Sequence, residues 1–178
     1  NGKTAVIIGG TTGIGSATVK LFGKNRANVI FAGRNREAGE ALEKETAAAY
    51  PKACIRYRRM DVSQEEQVRE LAEYVEQEFG GCDILFNNAG IHLAGRILET
   101  PPDEFDRIMN IDCRGVYLAC YYFLPMMLKK QYGTIINMSS VSGICAYYSM
   151  AAYNTAKGAV TNLTRAIAID YAEQGIRC

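Results

Sequence analysis

The chain has one histidine, His92, and its six cysteines (Cys54, Cys82, Cys113, Cys120, Cys145 and Cys178) include no CxxC pair. Zinc needs imidazole or thiolate ligands gathered at short spacings, so no metal site is expected. The scattered thiols read instead as reduced, mostly buried cysteines of a cytoplasmic protein. Neither sign of charge is in surplus: 20 basic residues stand against 19 acidic ones, for a formal net charge of +1. Nucleic acid and anionic membranes attract a basic excess or patch, so neither partner is expected. The densest basic stretch, RYRRM at Arg56–Met60, alternates like a strand showing its arginines to solvent. No secretory signal opens the sequence, and the longest apolar run, Val116–Leu128, is too short to span a bilayer and contains Pro125. A buried helix is the better reading of that run.

What is present is an alternation. Short apolar runs, AVIIG (Ala5–Gly9) and NVIFAG (Asn28–Gly33), are each followed by helical spacing, at Ile14–Lys24 and Glu37–Ala49. Cys54–Met60 then precedes a helix from about Gln64 to Phe79, and CDILF (Cys82–Phe86) precedes two helical pieces within Asp103–Gln131. Gly133–Met138 is the next strand and Met150–Glu173 the last long helix. Continuous apolar strands alternating with helices indicate parallel strands covered on both faces. The expectation is a doubly wound α/β fold with right-handed crossovers, one domain over residues 1–178. The chain stops at GIRC, where a further strand is expected after the long helix, and Asn1-Gly2-Lys3 reads like the inside of a longer opening. The first of these suggests a domain whose C-terminal part is absent, the second a longer N-terminal opening.

Three stretches lie where such a fold binds ligands. GGTTGIG, Gly9–Gly15, sits between the first strand and first helix, where glycines permit a tight turn and close approach to a phosphate at the helix N-terminus. In that setting it favours a dinucleotide pyrophosphate over a bare tight connection. After the second strand comes AGRN, with Gly33 and Arg34 where a carboxylate would grip a ribose 2′-hydroxyl. A guanidinium suits a 2′-phosphate, which favours NADP over the alternative, NAD; the plainer reading is a solvated arginine. NNAG, Asn87–Gly90, follows the fourth strand and, taken alone, is only a turn. In YNTAK, Tyr153 and Lys157 stand one helical turn apart and share a face.

GGTTGIG, Asp61-Val62, NNAG, Asn110 in MNID, Ser140 in NMSSVSG, and YNTAK occur in an order and spacing similar to those of the short-chain dehydrogenase/reductase family. The resemblance covers the whole chain and implies a Rossmann-type sheet in a compact single domain. It implies cofactor contacts at Gly9, Thr11, Thr12, Gly13, Ile14, Gly15, Arg34, Asp61, Val62, Asn88, Ala89 and Gly90, and at Tyr153 and Lys157. Asp61 would position adenine, though a strand-to-helix cap competes for that residue. Tyr153 would be the general acid/base, Lys157 the positive charge beside it, Ser140 the holder of the substrate oxygen, and Asn110 the anchor of a water leading from Lys157 to solvent. The chemistry is coherent: a free phenol titrates near pH 10, and a neighbouring cation favours phenolate. Tyr147 and Tyr148 are alternatives to Tyr153, but Ala151 and Ala152 stand where a lysine is needed, so they read as pocket lining. His92 reads as a loop residue at the pocket mouth.

The expected activity is NADP(H)-dependent interconversion of a secondary alcohol and a ketone; the alternative is a non-catalytic nucleotide sensor or scaffold. The family's closing segments, which shape the substrate pocket, are not found after Cys178. The implied partner is a second copy of the chain in a dimer or tetramer, because CYYFLPMMLKK is apolar around most of its circumference.

Overall fold

The computed structural model describes residues 2–178; Asn1 lies outside the described residues. Strand β1 (Thr4–Ile8) leads into helix α1 (Gly13–Lys24), β2 (Asn28–Gly33) into α2 (Arg36–Ala49), and β3 (Ile55–Arg59) into α3 (Glu65–Phe79). Strand β4 (Ile84–Asn87) is followed by α4 (Pro102–Ile108), a wide helical turn over Met109–Arg114, and α5 (Gly115–Lys130). Strand β5 (Gly133–Asn137), α6 (Ala151–Tyr171) and β6 (Ile176–Arg177) complete the order. The strands form one six-stranded sheet in the order β3-β2-β1-β4-β5-β6, and every pairing is parallel. The order reverses direction beside β1, which places the ligand crevice at the carboxyl ends of β1 and β4.

Side-chain alternation along the central strands explains the two helical layers. Val6, Ile8, Ile30, Ala32, Leu85 and Ile135 belong to the core shared with α3, α5 and α6. Ile7, Val29, Phe31 and Phe86 point the other way, to Val19 of α1 and Leu42 of α2. Both faces are therefore dry, which is why these strands read as unbroken apolar runs. Each such side chain removed from water contributes about 1.5–3 kcal/mol, so the central strands anchor the fold.

The doubly wound α/β expectation is met, with small differences at the ends. The strand after α6 is not wholly missing: Ile176 and Arg177 already pair with Gly133 and Thr134, so α6 has the start of its partner. The run around Pro125 is the helix α5, with Pro125 on its exposed side, where the lost backbone hydrogen bond is tolerated. The wide turn at Met109–Arg114 was not foreseen; extra residues per turn of this kind commonly mark functional sites. Among the described residues no helix is long and apolar enough to cross a membrane.

Phe31 is fully buried against Tyr57, whereas Leu98 is 98% exposed. Phe31→Ala is expected to cost about 3–5 kcal/mol in urea unfolding, and Leu98→Ala less than about 0.5. A loss below about 1 kcal/mol for Phe31→Ala contradicts this account of the core.

Candidate active site

The turn after β1 is built from backbone that a side chain would displace. Gly9 has φ of +80°, and a Cβ there would lie 2.5 Å from the Ala89 nitrogen. A Cβ on Gly15 would meet the Gly9 carbonyl oxygen at 2.1 Å. That carbonyl also accepts a hydrogen bond from Asn88 Nδ2 at 2.8 Å, tying the NNAG loop to the turn. Gly13, with φ of +54°, faces open space at the N-terminus of α1. Thr12 precedes that helix without capping it through its side chain, and the first turn carries no acid. The leading N–H groups and the positive end of the helix dipole are thus available to an anion.

A cleft of about 200 Å³ opens over this turn, lined by Gly9, Thr11, Thr12 and Gly33 from one side. Arg34, Asp61 and Val62 close one end, and Asn88, Ala89, Gly90 and Ile111 the other. Of the sequence-predicted cofactor residues, Gly13, Ile14, Gly15, Tyr153 and Lys157 do not line it. Ile14 projects into solvent, and Gly15 acts by letting α1 sit on the turn. Asp61 Oδ1 accepts from the backbone nitrogen of Ser63 at 3.0 Å and from its hydroxyl at 2.8 Å, so one oxygen serves the local turn.

Next to Gly90, whose Cβ would lie 3.4 Å from Lys157 Nζ, helix α6 carries Tyr153 and Lys157. The Lys157 ammonium lies 5.6 Å from the centroid of the Tyr153 ring and donates to the Met138 carbonyl at 3.0 Å. The two serines after β5 are not equivalent. Ser139 Oγ is committed to α6, 3.1 Å from the Lys157 carbonyl and 2.6 Å from Thr161 Oγ1. Ser140 Oγ accepts only from the Ser142 nitrogen, at 3.1 Å, which leaves its proton free to donate. Asn154, beside Tyr153, clamps the preceding loop: Oδ1 accepts from the Tyr147 nitrogen at 3.2 Å and Nδ2 donates to its carbonyl at 2.9 Å. Gly95 bonds Ser149 and Ala151 and joins the loop after β4 to the same place. His92 stands over Tyr153, with ring centroids 5.3 Å apart.

Asn110 is not part of this group. It is exposed and lines a separate depression with Ser63, Asp103, Asp106 and Arg107. The residue facing Lys157 is Asp112, two positions later and thus roughly half a turn around the helix. Asp112 is 0% exposed and Lys157 4%, with Oδ2 and Nζ 3.1 Å apart. The approach is off the angle of a hydrogen bond, so Oδ2 makes an ionic contact only. Oδ1 accepts from the Ile91 nitrogen at 2.7 Å. Burial pushes the Asp112 carboxyl above the ordinary carboxylate range, against the pull of the Ile91 N–H, Lys157 and His92. Helical phase was the available signal: Ile108, Asp112, Gly115, Val116 and Ala119 form one buried stripe, which Asn110 leaves.

The model of the short chain dehydrogenase family matches residues 3–178. The chain belongs to the short-chain dehydrogenase family. It is 45% identical over 178 residues to the uncharacterized oxidoreductase YxbG of Bacillus subtilis, covering 98% of this chain and 63% of that protein. It is 39% identical over 175 residues to the meso-2,3-butanediol dehydrogenase of Serratia marcescens, covering 98% of this chain and 68% of that protein. The chain thus spans about two thirds of the length of such relatives. The crystal structure of gox2181 superposes with a TM-score of 0.93 at 26% identity, over 99% of this chain and 69% of that one. Within this short-chain dehydrogenase, the Gly9–Gly15 contact is backbone on backbone and cannot yield by a rotamer change. Gly15→Ala should therefore lower stability by about 1–3 kcal/mol in thermal or urea unfolding. A neutral Gly15→Ala would show that α1 is free to move off the turn.

Proposed function

We propose that this chain carries the cofactor cleft and proton-transfer groups of an oxidoreductase that interconverts a secondary alcohol and a ketone with NADP(H). The reading is carried by a buried lysine beside Tyr153, together with a free hydroxyl on Ser140 and an uncapped α1 N-terminus next to the cleft. The names of its relatives point the same way: meso-2,3-butanediol and D-beta-hydroxybutyrate, the latter at 34% identity, are both secondary alcohols.

The cleft fits a dinucleotide. Gly13 leaves room over the α1 N-terminus where a Cβ would otherwise stand, and the unpaired first-turn N–H groups suit a pyrophosphate. Asp61 Oδ2 and the Val62 side chain would take adenine, and Ala89 and Gly90 would border the nicotinamide ribose, which Lys157 would bond. Arg34 is exposed at the cleft's end and, among the described residues, joins no ion pair, so its guanidinium is available to a 2′-phosphate. When bound, the nicotinamide supplies or accepts the hydride.

The chain's own groups handle the oxygen and its proton. Ser140 donates to the substrate oxygen and fixes it beside Tyr153. In reduction the Tyr153 hydroxyl gives its proton to that oxygen; in oxidation the phenolate takes it back. Lys157 stabilises the phenolate by its charge. The exposed apolar residues Ile144, Tyr147 and Tyr148, on the loop before α6, border the place where substrate carbon would lie. A second copy of the chain is the proposed protein partner. Tyr117 and Tyr121 stack in solvent on α5, and Ile169 is bare on α6, surfaces that suit a dimer or tetramer interface.

A panel of secondary alcohols and ketones, including meso-2,3-butanediol, D-beta-hydroxybutyrate, sugars and steroids, followed by NADPH absorbance, tests the activity. Tyr153→Phe should lower turnover by at least about 100-fold with cofactor affinity within about threefold of the parent. Retained turnover removes Tyr153 from the mechanism, and a parent inert across the panel favours a nucleotide-binding protein instead. Direct titration of both nucleotides tests the cofactor: Arg34→Ala should weaken NADP(H) by about tenfold and leave NAD(H) unchanged. Equal affinity of the parent for both nucleotides contradicts the role given to Arg34.

A further inference from the structure

The cleft, the proton-transfer groups and the bare helix faces are absorbed by the proposed function. The buried carboxylate against Lys157 is not. An acid on the apolar stripe of a helix needs a reason, because a charge out of water is costly unless paired. Its partners come from three separate segments. Oδ1 holds the Ile91 nitrogen at the end of the NNAG loop, and Oδ2 faces the ammonium from α6 at 3.1 Å. The loop is pressed against the pair: a Cβ on Gly90 would lie 2.8 Å from Asp112 Oδ2 and 3.4 Å from Lys157 Nζ. The same ammonium donates to Met138, two residues before Ser140. One carboxylate therefore joins the cofactor loop to the cation beside Tyr153.

We propose that Asp112 is a positioning residue for Lys157: its carboxylate holds the ammonium against the cofactor loop, and protonation of that carboxylate loosens the hold and sets the acid limit of turnover. The proposal rests on the reading of Tyr153 and Lys157 given above. Asp112 lies within the wide turn at Met109–Arg114, on the buried side from which Asn110 is turned away. An asparagine in that place would offer a polar group and no charge. The carboxylate adds a second state, charged or neutral, that Lys157 senses directly.

The groups facing Asp112 are Lys157 from α6, His92 from the loop after β4 and the neighbouring Cys113 thiol, which Asp112 itself helps to push up. Burial raises the Asp112 carboxyl above the usual carboxylate value near 4. Falling pH therefore neutralises Asp112 before it neutralises an exposed aspartate. The grip on Lys157 is present above that raised value and is lost below it, so the acid limb of kcat lies above the ordinary carboxylate range. His92, whose ring lies 5.3 Å from that of Tyr153, is the control, and the two residues are separable by substitution.

Profiles of kcat against pH, taken on the best substrate of the panel above, compare the parent with Asp112→Asn, Asp112→Ala and His92→Gln. The amide keeps a polar partner for the ammonium but does not titrate. Asp112→Asn, fixed in the neutral state, should therefore lose the acid limb, with kcat flat across the pH range and about tenfold below the parent's plateau. Asp112→Ala should lose about 100-fold, the effect of a misplaced catalytic group, and His92→Gln should keep the limb. A limb that survives Asp112→Asn, or that disappears with His92→Gln, overturns the proposal. Should Asp112→Ala fail to fold, Asp112→Asn carries the comparison alone. A second readout needs no substrate: carbon-13 NMR of the Asp112 carboxyl in the cofactor-free protein should show its midpoint moving up in Lys157→Met. An unmoved midpoint means that the two charges are not coupled, and overturns the proposal as well. Turnover retained by Tyr153→Phe would defeat the reading of the site. A dead Tyr153→Phe with an intact limb in Asp112→Asn would defeat this inference alone.

Discussion

The close approach of three backbone segments at the carboxyl edge of the sheet is the constraint on which the site depends. Gly9 passes so near the Ala89 backbone that it cannot carry a side chain, and Gly15 lets α1 rest on the Gly9 carbonyl. Asn88 closes the arrangement with a side-chain hydrogen bond to that carbonyl. Because β1 and β4 are adjacent and parallel, both connecting loops emerge at one edge. The cleft is the space left over when those loops cannot overlap. Thr12, which precedes the uncapped first turn of α1, lines it.

Across that cleft the organising force changes from sterics to charge. Lys157 is buried, and its ammonium donates to the Met138 carbonyl and makes an ionic contact with the Asp112 carboxylate. Tyr153 stands at the edge of that polar pocket, with His92 over its ring. The clamp made by Asn154 on Tyr147 and the bond from Gly95 to Ser149 keep the loop before α6 in register with Tyr153.

The fold was readable because its signals are local and repeated. Dry parallel strands need apolar side chains on both faces, so each appeared as an unbroken run, and each helix followed with its own spacing. Spacing favours Ser140 over Ser139, and in the structure Ser139 Oγ is engaged by Thr161 and the Lys157 carbonyl. Asn110 shows where motif matching fails. MNID offers an asparagine and an aspartate two residues apart, and residue type favoured the one that the helix turns outward.

By itself the sequence determined the layer architecture, the family and the identity of the groups on the main turns, since these follow from periodicity and from glycine spacing. Which side chains meet was decided only by the tertiary structure. Asp112 and Lys157 are 45 positions apart in the chain. Their contact depends on the phase of one widened helical turn and on how α6 docks against it. Periodicity can say that Asp112 faces inward. It cannot say that a lysine waits there.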